Sequence, residues 1–436
     1  MERAWLERIV FETGCAERHS DTVFLCDPHW SAAQREQFKE IVEAARCAPT
    51  SHAKRHATAA IVAAELGTAA MADECKSPCW CGWLAIPTGG SSGGLKFALH
   101  DERTLGAAVR GFCAHFGVSR VNAVDCLPPW HVSGLMARLR CAVRGGVHLP
   151  WEWKRLEAGD FPELPDRVRK DGVAASLASG WFLSLVPTQL QRLLKQGERA
   201  GDWLRGFRAV FVGGGPLWSS LADEAAAARL PIVLSYGMTE TGAMVAAQRW
   251  GDFAAGDRSS GVPMPHAQIS INAEGLVCVC GESVMNAYWG HALCHGVFTT
   301  ADFGIFDEAG RLHILGRRDE VAISGGEKVR LSEVEAVLRG AKSVDGRAFF
   351  DDVAVVAVPD PEWGEAVVAC YLSAGASALS DAVIEADPRA LARHQRPKLW
   401  LAFAPEDWPR NAQGKLNRTA LREAVCARMG TPGCAE

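Results

Sequence analysis

An α/β fold with a smaller second unit is what this sequence predicts, on three observations. From Val121 to Val233 apolar runs of strand length alternate with helix-period stretches, the pattern of a mostly parallel sheet covered by helices. After Gly261 the character changes to short β runs separated by turns. From about Glu320 a new βα pattern begins, so we place a boundary at Asp319, with an N-terminal unit over 1–318 and a C-terminal α+β unit over 319–436. At 436 residues the chain can bury a large core without disulfide or metal staples.

Each element has a local reason. Ser31 and Gln34 have capping-box spacing, and Phe38, Ile41, Val42 and Ala45 follow at helical spacing, which predicts a helix over 31–46. Ala57–Ala70 reads as a second helix. The apolar run Trp83–Ile86 reads as a strand, and a Gly/Ser loop, Thr88–Gly94, leads from it to the short strand Lys96–Leu99. Leu105, Val109, Phe112 and Phe116 trace one helix face. Arg208–Val212 and Ile232–Leu234 read as strands on either side of an Ala-rich helix, Leu217–Arg229. Asp307-Glu308-Ala309-Gly310 is a turn between two apolar runs, and Ser332-x-x-Glu335 reads as a capping box in the second unit.

Composition excludes several classes. Apolar residues at 48% and charged ones at 22% argue against disorder and fibrous repeats. A net charge of −5 argues against bulk electrostatic binding of nucleic acid. The weakly polar stretch Val173–Pro187 is broken by Ser179 and Ser184 and is too short for a membrane span. The opening MERAWLERIVFETG is too charged for a signal-peptide core, so a cytoplasmic location is expected. The 15 cysteines are odd in number and scattered, as reduced thiols are. Cys75, Cys79 and Cys81, with His52 and His56 upstream, form no regular CxxC pair and read as ordinary thiols rather than a zinc site.

Four segments carry chemistry. In Thr88-Gly89-Gly90-Ser91-Ser92-Gly93-Gly94-Leu95-Lys96, glycines let backbone N–H groups approach phosphate oxygens, and hydroxyls and Lys96 add donors and charge. It is not a Walker loop, because Lys96 follows Leu95 and leads into a strand. Alone, it reads equally as a flexible turn. Ser235-Tyr236-Gly237-Met238-Thr239-Glu240-Thr241 follows the strand Ile232–Leu234, where ligands collect in open α/β sheets. A hydroxyl beside a carboxylate suits a phosphate oxygen and its Mg²⁺, or simply a polar turn. Phe298–Lys328 holds Asp302, Arg317, Asp319 and Gly325-Gly326; a lone Asp can accept from both ribose hydroxyls, although a hairpin with surface charges reads as well. Pro409–Lys415 is a basic loop near the C-terminus.

In this order the segments resemble the adenylate-forming superfamily of acyl-CoA synthetases, peptide-synthetase adenylation domains and luciferases. Gly213–Pro216 and Gly281–Trp289 (GESVMNAYW) fit the same pattern. Leu95 replaces a frequent proline and Ala301 a usual glycine, and neither change removes a functional side chain. The resemblance implies a barrel-like β part and a mobile C-terminal unit. It implies ATP and Mg²⁺ binding with CoA as cosubstrate. Lys415 becomes the catalytic lysine, Thr239 an α-phosphate contact and Glu240 the Mg²⁺ ligand. Thr88, Ser91, Ser92, Gly93 and Lys96 hold phosphates, while Gly214, Gly215, Tyr236, Gly237, Asp302 and Arg317 complete the nucleotide site. Asp319 is the hinge, and Gly325 and Gly326 let the pantetheine arm pass. A homodimer is compatible with the family.

Ile86–Gly90, Leu127–Met136 and Ser184–Leu190 resemble the o-succinylbenzoyl-CoA synthetase branch of menaquinone and phylloquinone biosynthesis. That places His131, Ser133 and Gly134 against a carboxylic acid substrate; His131 reads equally as a packed core histidine. Arg138 and Arg140 are candidate cations for a second carboxylate. Another aryl- or acyl-CoA ligase, an adenylation enzyme loading a carrier protein, and a noncatalytic nucleotide binder remain the competing readings.

Overall fold

The computed structural model describes residues 2–19, 21–47, 82–89, 95–164, 180–341, 350–372, 391–410 and 416–430. The expected helix Ala57–Ala70, the cysteine cluster at 75–81, and Ser91, Ser92, Gly93 and Lys415 lie outside them.

A seven-stranded sheet forms the centre, and five of its strands are parallel: His148–Pro150, Asn122–Asp125, Trp181–Leu185, Ala209–Val212 and Ile232–Met238. Ala243–Ala247 and Val262–Pro263 extend it antiparallel. Successive side chains of a strand face opposite ways, so each strand feeds two cores. Ala123, Phe182, Phe211 and Val233 pack with Leu105, Val109, Phe112 and Phe116 of the helix Glu102–Phe116 and with Leu135, Met136 and Leu139 of the helix Val132–Val143. Their neighbours Val124, Leu183, Val210 and Ile232 pack with Leu190, Leu204 and Leu221 of helices on the other face. This is the helix-covered sheet the alternation predicts. The helix Glu102–Phe116 begins in a capping box, with Thr104 N–H donating to Asp101; such caps stabilise a helix start by about 0.5–2 kcal/mol.

A second sheet runs Ala16–His19, Thr22–Leu25, Leu84–Gly89, Leu95–His100 and Ala287–Tyr288. The helix Ala32–Cys47 covers it through Phe38 and Val42, and the Ser31–Gln34 capping box is present in both directions. A third, four-stranded antiparallel sheet runs from Ala267 to Arg317 and stands where the barrel-like part is expected, with Asp307–Gly310 as a hairpin turn.

From Val321 onward the strands form a fourth sheet with cores on both faces. Val353, Val355 and Val367 pack against the helix Leu331–Gly340, and Ala354, Val356 and Val368 against the helix Arg418–Met429. The predicted Ser332–Glu335 capping box is absent. The helix starts after Arg330 with no side-chain cap, Ser332 Oγ has no hydrogen-bond partner, and Glu335 is committed to arginines instead. Among the described residues no helix is long and apolar enough to cross a membrane.

Candidate active site

Two of the functional segments, 213–216 and 235–241, lie at the carboxyl ends of the parallel strands Ala209–Val212 and Ile232–Met238. Ile232–Met238 is longer than its apolar residues predict. Ser235–Gly237 are not a turn but pair with 244–247 of the next strand. Gly237 is required by that pairing, since a Cβ there would fall 1.8 Å from the Ala243 carbonyl oxygen. The strand ends in a short 3₁₀ turn, Thr239–Thr241, which Thr241 Oγ1 ties to the Met238 and Ala243 carbonyls.

Glu240 projects from this turn and is 7% exposed. Its Oε1 accepts from Thr88 Oγ1 at 3.0 Å and from the Tyr288 phenol at 2.7 Å. Two segments far apart in the chain, the start of the phosphate loop and the GESVMNAYW string, therefore meet on one carboxylate. The main chain is held as well: His100 Nε2 donates to the Thr239 carbonyl at 2.8 Å, and Met285 N–H to the Glu240 carbonyl at 2.8 Å. His100 is fully buried, which drives its pKa down to about 4 and keeps it neutral as that donor.

Asp302, 6% exposed, forms the second centre. One oxygen accepts from the Tyr236 phenol at 2.7 Å and the other from Arg317 Nη1 at 3.1 Å. Burial, then the Asp302 carboxylate, pushes the Tyr236 phenol above its ordinary range, so it stays protonated. Arg317 also forks onto Asp319 at 2.9 and 3.0 Å. Burial alone would lower its pKa, but the Asp319 and Asp302 carboxylates outweigh that and raise it. One guanidinium thus ties the residue expected at the ribose to the residue expected at the hinge.

The remaining sites are more dispersed. Lys96 is exposed, with its ammonium 5.8 Å from the centre of the Tyr288 ring. Gly214 and Gly215 lie in the exposed loop after Ala209–Val212, Gly214 with φ +75°. Gly325 and Gly326 turn the chain between Val321–Ser324 and Glu327–Arg330 with φ of +61° and +83°, the conformation glycine alone takes freely. His131 heads the helix Val132–Val143 and is half-buried, as is Ser133. Gly134 packs against backbone: a Cβ would meet the Pro128 carbonyl oxygen at 2.4 Å. Its smallness therefore serves the fold at that turn. Arg140 is buried with its guanidinium 4.2 Å from the centre of the Phe112 ring, and Arg138 faces Glu12 at 3.8 Å.

Tyr288 and His100 were not singled out by sequence. Tyr288 sits within a string that fits the family, but its partner lies 48 residues away, and that of His100 lies 139 away.

This donor set fits Mg²⁺. Oxygen ligands suit a hard cation, and Glu240 Oε2 meets no donor among the described residues. No group of three or more His, Cys, Asp or Glu able to hold a metal occurs among them. A single carboxylate suffices when phosphates and water supply the other positions.

The model of the AMP-binding enzyme family matches residues 83–289, which include the Thr88, Glu240 and Tyr288 cluster. Residues 83–289 are an AMP-binding domain. The chain is 29% identical to the 2-succinylbenzoate–CoA ligase of Enterococcus faecalis over 363 residues, 78% of this chain and 70% of that one. With the enzyme of the same name from Bacillus licheniformis the identity is 33% over 313 residues, 68% of this chain and 60% of the relative. The match therefore spans about two thirds of these relatives' length. In three dimensions the chain shares the fold of Bacillus subtilis MenE in complex with the acyl-adenylate OSB-AMP, with a TM-score of 0.63 at 23% identity, covering 78% of this chain and 68% of that one. Against Bacillus subtilis MenE in complex with ATP and magnesium ion the TM-score is 0.61, at 23% identity over 78% and 69% of the two chains.

Proposed function

We propose that this chain is an AMP-forming acid–CoA ligase acting on o-succinylbenzoate. It makes the acyl-adenylate and pyrophosphate from ATP, then passes the acyl group to CoA and releases AMP. The observation that carries the proposal is the meeting of Thr88, Glu240 and Tyr288, together with the Tyr236–Asp302–Arg317 centre, in a chain whose relatives bear that enzyme's name.

A carboxylate is a poor electrophile because its leaving group would be oxide. Attack of its oxygen on the α-phosphorus of ATP, with pyrophosphate leaving, installs AMP as a good one. In this reading Thr88, Ser91, Ser92, Gly93 and Lys96 steady the departing phosphates and Thr239 the α-phosphate. Gly214, Gly215, Tyr236 and Gly237 border the nucleotide, and Asp302 with Arg317 holds the ribose. Mg²⁺, held by Glu240, would neutralise phosphate charge. In the same reading Lys415 steadies the charge of the two reacting anions. The CoA thiolate then attacks the adenylate carbonyl, after the unit beginning at Asp319 swings Lys415 away and brings Gly325 and Gly326 beside the pantetheine arm. A cytoplasmic homodimer belongs to the same reading.

Purified protein incubated with ATP, Mg²⁺, CoA and a panel of acids tests it. o-Succinylbenzoyl-CoA should form fastest. Preference for benzoate or a fatty acid would overturn the substrate while leaving the adenylating chemistry in place. Absence of any thioester with free CoA would overturn the ligase.

Two variants probe individual roles. Asp302→Asn trades a carboxylate acceptor for a weaker amide oxygen, and losing a charge-assisted hydrogen bond costs about 1.5–3 kcal/mol. Calorimetric titration should show ATP binding weakened by roughly tenfold or more; unaltered affinity would mean that the ribose lies elsewhere. His131→Ala should raise the KM for o-succinylbenzoate far more than that for ATP, because it removes packing and a polar group from the acid's side only. Equal effects on both would mark His131 as a core residue.

A further inference from the structure

Glu240 is constrained in an unequal way. Its backbone is fixed by the 3₁₀ turn and by the bonds from His100 and Met285. A glutamate side chain on a fixed backbone still has three torsions, and rotating the last one exchanges which oxygen faces a ligand. Two hydroxyls remove that freedom. Thr88 Oγ1 and the Tyr288 phenol both donate to Oε1, while Oε2 takes no donor among the described residues. One oxygen is dedicated to the protein and the other is left for a cation.

Tyr288 is well built for this. It lies on the short strand Ala287–Tyr288, whose backbone pairs with Leu99 and Ala98 of the strand that carries Lys96. The phenol is therefore positioned by the sheet rather than by a loop. Its hydroxyl reaches Oε1 of Glu240 at 2.7 Å. With Lys96 above its ring, the same side chain borders the phosphate strand.

We propose that Tyr288 is a positioning residue for Mg²⁺: its hydroxyl, together with Thr88, fixes Oε1 of Glu240 and so presents Oε2 to the metal that accompanies the nucleotide. This deepens the nucleotide-activating reading of the site and rests on it.

Tyr288→Phe removes the hydroxyl and keeps the ring. Mn²⁺ serves as the probe, titrated by electron paramagnetic resonance into the enzyme with α,β-methylene-ATP, an analogue whose carbon bridge between the α- and β-phosphorus keeps it from donating its adenylyl group. The variant should bind Mn²⁺ roughly three- to tenfold more weakly. Its melting temperature and its affinity for the analogue in the presence of EDTA should match the wild type. The Mg²⁺ concentration for half-maximal ATP–pyrophosphate exchange should rise by the same factor, while transfer from presynthesised adenylate to CoA stays unchanged. In the Glu240→Gln background, Tyr288→Phe should cause no further loss. Unchanged Mn²⁺ affinity, or a full additional loss on Glu240→Gln, would overturn the proposal. So would a fall in metal-free nucleotide binding and melting temperature along with Mn²⁺, since that is the mark of a structural role. Failure of the wild type itself to bind Mn²⁺ with the analogue would instead overturn the nucleotide reading.

Discussion

Lys415→Ala should lower acid-dependent ATP–pyrophosphate exchange by about 10²–10³-fold, the scale seen when a donor aimed at developing charge is removed. Two anions must meet in the first half-reaction, the substrate carboxylate and the α-phosphate. A cation between them gains most when the new P–O bond is partly made, so its loss acts on the transition state. Nucleotide binding rests in this reading on Asp302, Thr88 and their neighbours, so ATP affinity should change little. Attack of CoA on a presynthesised adenylate has no such meeting of anions and should survive far better. The residues flanking the loop are secured: Arg410 forms an ion pair with Asp352 at 2.5 Å and a β-bridge with Leu416. Measuring exchange and thioester formation separately decides the case, and unchanged exchange would remove Lys415 from the mechanism.

Where sequence and structure agree, the signal is local and periodic. Leu105, Val109, Phe112 and Phe116 recur at helical spacing because one helix face meets the sheet, and all four are buried. The same holds for the alternating strand residues and for the Ser31–Gln34 cap, which is complete within four residues. Where they differ, a distant partner decides. Ser332 and Glu335 have the spacing of a cap, but Arg418 lies 83 residues from Glu335 and takes its carboxylate. Ser235–Gly237 look like a turn because they are polar and contain glycine, yet the hairpin partner 244–247 supplies the backbone bonds that keep them extended. The site follows the same rule. Asp302 and Glu240 are chemically conspicuous within their own motifs. Tyr288 and His100 become functional only through what the fold sets against them.

The buried ion network around Glu335 carries the largest expected effect on stability. Glu335 accepts from Arg418 Nη2 at 2.7 Å, from Arg339 Nε at 3.1 Å and from Val355 N–H at 3.1 Å. Arg339 continues to Asp352 at 2.6 Å, and Arg418 reaches Glu320, next to the proposed hinge, at 3.0 Å. Replacing such a network with apolar groups can be neutral, but deleting one member strands the others: Glu335→Ala leaves two half-buried guanidiniums short of a carboxylate, at a cost of about 3 kcal/mol, the low end for buried pairs. Glu335→Gln keeps the volume and one acceptor oxygen and should cost less. Burial by itself would raise the Glu335 pKa, but the Arg418 and Arg339 guanidiniums outweigh it and hold the carboxyl below its ordinary 4.5. A lowered native pKa means that the stabilisation is complete above about pH 4.5 and fades as pH falls through the native value. In urea, therefore, the gap between wild type and Glu335→Ala should be wide at pH 7 and should shrink progressively as the pH falls from 4.5 through the lower native value. A gap that stays constant into acid would mean that packing rather than charge gives Glu335 its worth, and no gap at pH 7 would remove the network from the account of how the C-terminal unit is held.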